Sequence, residues 1–194
     1  MLRSIMAVGL AGLLLGGCTT VRVVESEVQT FSFLSALPAQ PTFRFERLPS
    51  QQAQDQLQTE VERMAEVALN QVGLRRDDAQ ADFSVQLGVR VDRDDRVDWN
   101  DVWWYGPGMR GWRLGHPGHW PGPWAQTTPW YQREVSLALR DTTTGQVVYE
   151  THAVEESAWS DTRNLLPTIF SAALTEFPAA TPGQRPRMVA LPLP

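Results

Sequence analysis

Along residues 82–92 the chain alternates strictly. Phe83, Val85, Leu87, Val89 and Val91 share one parity, while Asp82, Ser84, Gln86 and Arg90 share the other. This period of two predicts a strand with one buried and one wet face, which suits an antiparallel sheet. Gln132–Arg140 repeats the pattern with Val135, Leu137 and Leu139. Asp141-Thr-Thr-Thr-Gly145 is turn chemistry. Gln146–Glu155 then returns as the hairpin partner, with Val147 and Tyr149 toward the core. Earlier, Thr42–Glu46 sets Phe43 and Phe45 on one side of a half-buried strand, which Pro49-Ser50 ends. Val21–Leu34, mixing β-branched and aromatic residues, starts the sheet.

The period changes twice. From Ala53 to Val72, apolar residues recur every three or four positions at Leu57, Val61, Met64, Ala68 and Val72, which predicts a helix. Glu60, Glu62 and Glu66 lie off that stripe, and Gly73 stands where a C-terminal glycine belongs. Thr162–Phe177 carries a wide stripe of Leu165, Leu166, Ile169, Phe170, Ala173, Leu174 and Phe177. Its Pro167 is expected in the first turn, where proline is tolerated, and Pro178 ends the helix. The last 17 residues hold five prolines and read as an extended, mobile tail, residues 178–194. The expected fold is α+β: about five strands, mainly antiparallel, with two helices on one face. A long Trp/Gly/Pro-rich loop, residues 97–131, joins two central strands.

The N-terminus changes the picture from fold to address. Arg3 precedes the eleven-residue apolar run Ile5–Leu15, and Leu15-Gly-Gly-Cys18 follows. A charged start, a short apolar core and small residues before a cut describe a signal peptide, here residues 1–17. The run is too short to span a bilayer of about 30 Å. Cys18 is the sole cysteine, so the chain has no internal disulfide. Leu15–Cys18 resembles a bacterial lipobox, which implies acylation of Cys18 and a membrane anchor there. The resemblance extends to sorting: Thr19 after the cysteine, rather than Asp, implies the outer membrane, with residues 18–177 facing the periplasm as one domain.

Charge narrows the partners. All 17 basic residues are arginine, the net charge is −5, and no basic stripe appears, which argues against nucleic acid.

The loop is the segment richest in possible function. Seven of the eight tryptophans lie between Trp99 and Trp130, beside six glycines and five prolines. Loops beyond about 12–15 residues are usually functional or disordered, and disordered segments are poor in aromatics. Fully exposed, seven tryptophans would present on the order of 1,400 Å², against about 300–600 Å² for the largest apolar patch of a typical monomer. The loop must therefore cover the sheet, meet an envelope protein, stack on glycan rings, or dip into lipid head groups. Trp103, Trp104, Tyr105, Trp112, Trp120, Trp124 and Trp130 are the candidate contact residues.

Other motifs carry less chemistry. His116-Pro-Gly-His119 supplies two imidazoles, too few for a structural zinc site, and His152 lies on a strand. Asp92, Asp94, Asp95, Asp98 and Asp101 resemble a calcium loop without the sixth-position glycine, and read as a solvated strand end. Glu155-Glu156 is an acidic pair with no evident partner. No nucleophile elbow, phosphate loop or dinucleotide fingerprint is present. The expectation is a protein without metal, cofactor or catalytic residues.

Several parts together resemble a family. They are the lipobox at Cys18, "TFRFERLPSQQ" (Thr42–Gln52), "ADFSVQLGV" (Ala81–Val89), the Trp-rich loop and "LRDTTTGQVVYETHA" (Leu139–Ala153). In this order they resemble the bacterial lipoproteins catalogued as domain of unknown function 4136. The resemblance implies an envelope lipoprotein with an α+β domain and transfers no catalytic residue. The expected function is non-catalytic binding or scaffolding at the envelope. The alternatives are an auxiliary subunit of a transport or assembly machine, and an envelope hydrolase.

Overall fold

The computed structural model describes residues 21–34, 36–97, 127–181, 183 and 185–192. Its strands are β1 (Val21–Ser32), β2 (Thr42–Glu46), β3 (Arg75–Arg76), β4 (Phe83–Val97), β5 (Thr127–Asp141), β6 (Val147–Ser157) and β7 (Arg185–Pro192). Its helices are α1 (Pro49–Gln52), α2 (Asp55–Gln71) and α3 (Thr162–Ala173). The sheet has seven strands in the order β3-β2-β4-β5-β6-β1-β7, two more than expected. It is mixed: β2 runs parallel to β3 and β4, and the other pairings are antiparallel. The parallel step arises because α1 and α2 carry the chain from β2 to β3 and β4, a helical crossover that returns it in the same direction. β7 falls in the segment read as a mobile tail. There Arg185–Pro192 pairs along β1, with Val21 opposite Pro192 and Val28 opposite Arg185.

Alternation places the core. Phe83, Val85 and Leu87 from β4 meet Val135, Leu137 and Leu139 from β5 and Tyr149 and Ala153 from β6. Helices α2 and α3 cover this face with Val61, Ala65, Leu69, Leu165, Ile169 and Phe170. The Phe177 ring meets Tyr149 edge-on, with centroids 5.0 Å apart. The Tyr149 hydroxyl lies near Thr30 and Thr151, and burial pushes its pKa up to about 12 against the opposing effect of those two hydroxyls.

Several sequence expectations shift in detail. The buried stripe of α2 is rotated from the one read in sequence. Leu57 is 60% exposed, whereas Gln58 and Glu62 are buried. Glu62 turns inward because Arg47 neutralises it. Ser84 is buried, donating to Glu46 Oε2 at 2.8 Å. Val91 is exposed because β4 there outruns the helical layer. Val147 is exposed too: a register irregularity at Leu139/Arg140 sets it opposite Arg140 while Tyr149 takes the core position. Pro167 is the sixth residue of α3, inside the helix rather than in its first turn. Among the described residues, no helix is long and apolar enough to cross a membrane.

Candidate functional site: the root of the tryptophan-rich segment

β4 and β5 are 15 residues each and pair without a slip from Phe83–Asp141 to Val97–Thr127. They outrun their neighbours. β2 last pairs at Glu46–Gln86, and β6 last pairs with β5 at Tyr131–Ser157. Beyond those pairs the described residues form a two-stranded ribbon, and residues 98–126 join its far ends. The strands therefore reach into the segment read as loop, taking Val97 and Thr127–Tyr131 from it. Gly88 belongs to this pairing: a Cβ there would stand 2.4 Å from Ser136 Oγ on the facing strand.

Of the candidate contact residues, only Trp130 lies within the described residues. Trp103, Trp104, Tyr105, Trp112, Trp120 and Trp124 lie outside them, as do Cys18, His116, His119, Asp98 and Asp101. Trp130 is half-buried on β5 opposite Asp94. The Arg96 guanidinium stands over its ring, 4.6 Å from the centroid, and also reaches Glu156 at 3.3 Å. A cation over an indole face is held by the ring quadrupole. The buried Trp130 N–H finds no acceptor among the described residues. On the opposite face of the ribbon, Arg93 and Arg133 approach the Tyr131 ring at 5.9 and 5.1 Å.

On the Tyr131 face lies a buried ionic knot that the sequence reading missed. Arg133 is fully buried and Glu155 is 2% exposed. Arg133 Nη1 donates to Glu155 Oε2 at 2.7 Å and to Ser157 Oγ at 3.3 Å. Its Nε donates to Thr162 Oγ1 at 2.9 Å, and its Nη2 to the Trp159 carbonyl. The planar guanidinium thus ties β5, β6 and the first residue of α3 together. Parity contains the signal: Arg133 shares its face with Val135, Leu137 and Leu139, and Glu155 shares its face with Tyr149 and Ala153.

A second knot holds the crossover. Arg47 donates in bidentate fashion to Glu62 at 2.6 and 2.7 Å, and also reaches Asp55 and Thr59. The Glu62 carboxylate first, and Asp55 after it, hold the Arg47 pKa above the ordinary arginine value. Two members of the acidic cluster, Asp92 and Asp95, are paired locally. Arg90 pairs with Asp92 at 2.8 Å and Arg93 with Asp95 at 3.2 Å, both exposed. His152 lies between Glu150 and Glu134, at 3.0 and 3.7 Å. Among the described residues, no group of three or more His, Cys, Asp and Glu could hold a metal ion.

At the other end of β4 and β5, within the sheet, an open cleft of about 480 Å³ is lined by Arg44, Glu46, Ser84, Arg140 and Asp141. Arg140 donates to the Gly145 carbonyl at 2.7 Å and lies 3.9 Å from Glu46. The lining alternates in sign, so it focuses no strong field on a ligand.

The profile of one family, described as a domain of unknown function (DUF4136), matches residues 26–179. The chain belongs to the DUF4136 family. The matched span of this DUF4136 protein runs from within β1 through α3 and includes both knots and the ribbon. No curated protein matches it. Among solved structures, a PDZ domain protein from Parabacteroides distasonis is 14% identical with a TM-score of 0.52, covering 93% of this chain and 41% of its own. The DUF4136 chain thus spans about two-fifths of that protein. The PelC dodecamer from Paraburkholderia phytofirmans is 12% identical with a TM-score of 0.45, covering 77% and 95%. At these identities the likeness concerns the fold alone.

Proposed function

We propose that this chain is an acylated lipoprotein of the cell envelope. It acts without catalysis, presenting the Trp-rich segment to a partner in the periplasm. The observation that carries this reading is the ribbon. β4 and β5 pair in unbroken register beyond the rest of the sheet, and residues 98–126 leave from its end. A binding segment is best mounted on a rigid element, and the unslipped β4–β5 ladder supplies one. Arg133 and Glu155 brace that mount from inside the domain. Trp and Tyr are favoured anchors because they combine large area with few rotatable bonds. Anchoring at Cys18 rests on the Leu15–Cys18 signal, and acyl chains in a bilayer supply it at about 0.8 kcal/mol per buried CH₂.

The test is photo-cross-linking in intact cells from a reactive residue placed at Trp120, in the natural chain and in Cys18→Ser. The reading predicts one discrete protein adduct from the natural chain, weakened when the anchor is lost. Adducts only to lipid or glycan, or none, would overturn the protein-partner reading.

A further inference from the structure

The outer edge of β4 is unpaired beyond Gln86 among the described residues, because β2 turns away after Glu46. Backbone direction along this edge can be read from two bonds. The Leu87 carbonyl accepts from the Gln51 side-chain amide on the outer side, and the Asp82 carbonyl accepts from the Thr142 N–H on the β5 side. With no slip in the β4–β5 register, odd-numbered residues turn their N–H and C=O outward and even-numbered residues turn theirs to β5. Among the described residues, the outward backbone groups of Val89, Val91, Arg93 and Asp95 meet no neighbouring strand and are open to a further one. An open edge of this kind recruits strands unless it is blunted.

The side chains along this edge spell Asp92-Arg93-Asp94-Asp95-Arg96, all exposed. Read against its own reverse, the run is nearly complementary in charge. Two copies placed antiparallel about a two-fold axis through Asp94 set Arg93 opposite Asp95 and Asp92 opposite Arg96, twice over. One like pair remains, Asp94 against Asp94. This register also pairs odd residues with odd, as the outward backbone groups require. Moving the axis to residue 93 sets Asp92 against Asp94 and Arg90 against Arg96. Moving it to residue 92 or 95 keeps only one kind of opposite pair. Opposite charges directly across an antiparallel pair stabilise it, and like charges oppose it.

We propose that the β4 edge is a self-recognition surface. On this reading a second copy of the chain pairs antiparallel with it about Asp94, extending the two sheets into one through an isologous contact. The same charges turn away uncharged strands, so the edge is protected and selective at once. The intrastrand pairs Arg90–Asp92 and Arg93–Asp95 are compatible with this contact, because each guanidinium has five N–H donors to share between two carboxylates, and the exposed Arg96 exchanges Glu156 for Asp92 of the second copy.

Two experiments on the full-length chain carrying Cys18→Ser test this. In the first, Asp94→Cys and Asp92→Cys are each exposed to a mild oxidant. Across the axis, residue 94 faces itself in a non-hydrogen-bonded pair, with Cα atoms about 4.5 Å apart, inside disulfide range. Residue 92 lies four positions off register from its own copy. Disulfide-linked dimer from Asp94→Cys and little from Asp92→Cys supports the proposal; equal or reversed yields overturn it. The second is sedimentation equilibrium. Arg93→Asp should weaken self-association by several-fold to about tenfold, Arg93→Asp with Asp95→Arg should restore it, and Asp94→Asn should strengthen it. Unchanged melting temperatures confirm that each variant is folded, since all three sites are exposed. A chain that stays monomeric throughout, its edge covered by its own segment or taken by another protein, overturns the proposal.

Discussion

Arg133 and Glu155 form an ion pair of 2.7 Å with both side chains sealed from solvent, and the same guanidinium closes the start of α3 through Thr162. A buried pair of this kind adds little net stability over a well-packed apolar pair, but removing one partner strands the other charge. Arg133→Met should therefore cost about 3–5 kcal/mol, and Glu155→Leu a similar amount. The double variant should recover most of the loss. Denaturant unfolding of the three variants checks this. Simple additivity of the two losses would mean that the charges are not coupled.

The apolar faces of β4 and β5 give the second prediction. Leu87 and Leu139 are almost fully buried, and each changed to Ala should lose about 2–5 kcal/mol in denaturant unfolding. Ser84 is buried on the opposite parity and holds Glu46, so Ser84→Ala should lose about 1 kcal/mol. Alternation alone predicts no loss there. A loss near zero at Ser84 would show that the hydroxyl bond contributes nothing.

Two titrations give opposite limbs of the pH–stability curve. The Thr144 N–H, aided by its hydroxyl and by the Thr143 N–H, holds the Asp141 carboxyl below the ordinary carboxylate range. A depressed folded-state pKa contributes stability above the unfolded value and loses it as pH falls. Asp141→Asn, which keeps an acceptor and does not titrate, should flatten the acid limb. Tyr149 is the reverse case: burial raises its pKa to about 12. Its contribution is intact below the unfolded tyrosine value, about 10, and is lost as pH rises from there toward 12. Tyr149→Phe should retain stability through that window. Thermal melts across pH test both, and an unaltered profile in either variant contradicts the assignment.

How much of this was legible in the sequence depends on where the information lies. Phe83, Val85, Leu87, Val135, Leu137 and Leu139 declare their strands because local alternation records burial directly. The hairpin turn at Asp141–Gly145 is equally local, and Gly145 takes the positive φ of 72° that the turn requires. The parallel placement of β2 beside β4 is not local, since it depends on which way α1 and α2 return the chain. β7 was missed because five prolines suggest a loose tail, yet proline is admissible on an edge strand whose outer N–H groups need no partner. Leu57 and Glu62 were assigned to the wrong faces of α2 for a different reason. Hydrophobicity sets helix phase only when charges stay out of the core, and Arg47 lets Glu62 in. For the site, the tryptophans announced themselves by composition. The Arg133–Glu155 brace did not: Glu155 was read only as half of an acidic pair with Glu156, although the parity of both Arg133 and Glu155 pointed inward.

The central claim is that the Trp-rich segment is mounted on the β4–β5 ribbon rather than forming part of the core. The most direct measurement is a thermal melt after residues 97–127 are replaced by Asn-Gly. This joins Arg96 to Thr128, a pair whose backbone groups face each other, as a two-residue hairpin turn requires. The account predicts a soluble, folded domain that melts within a few degrees of the natural chain and has lost its cross-linked partner. Aggregation or a collapse of the melting temperature would contradict it and make the tryptophans part of the fold.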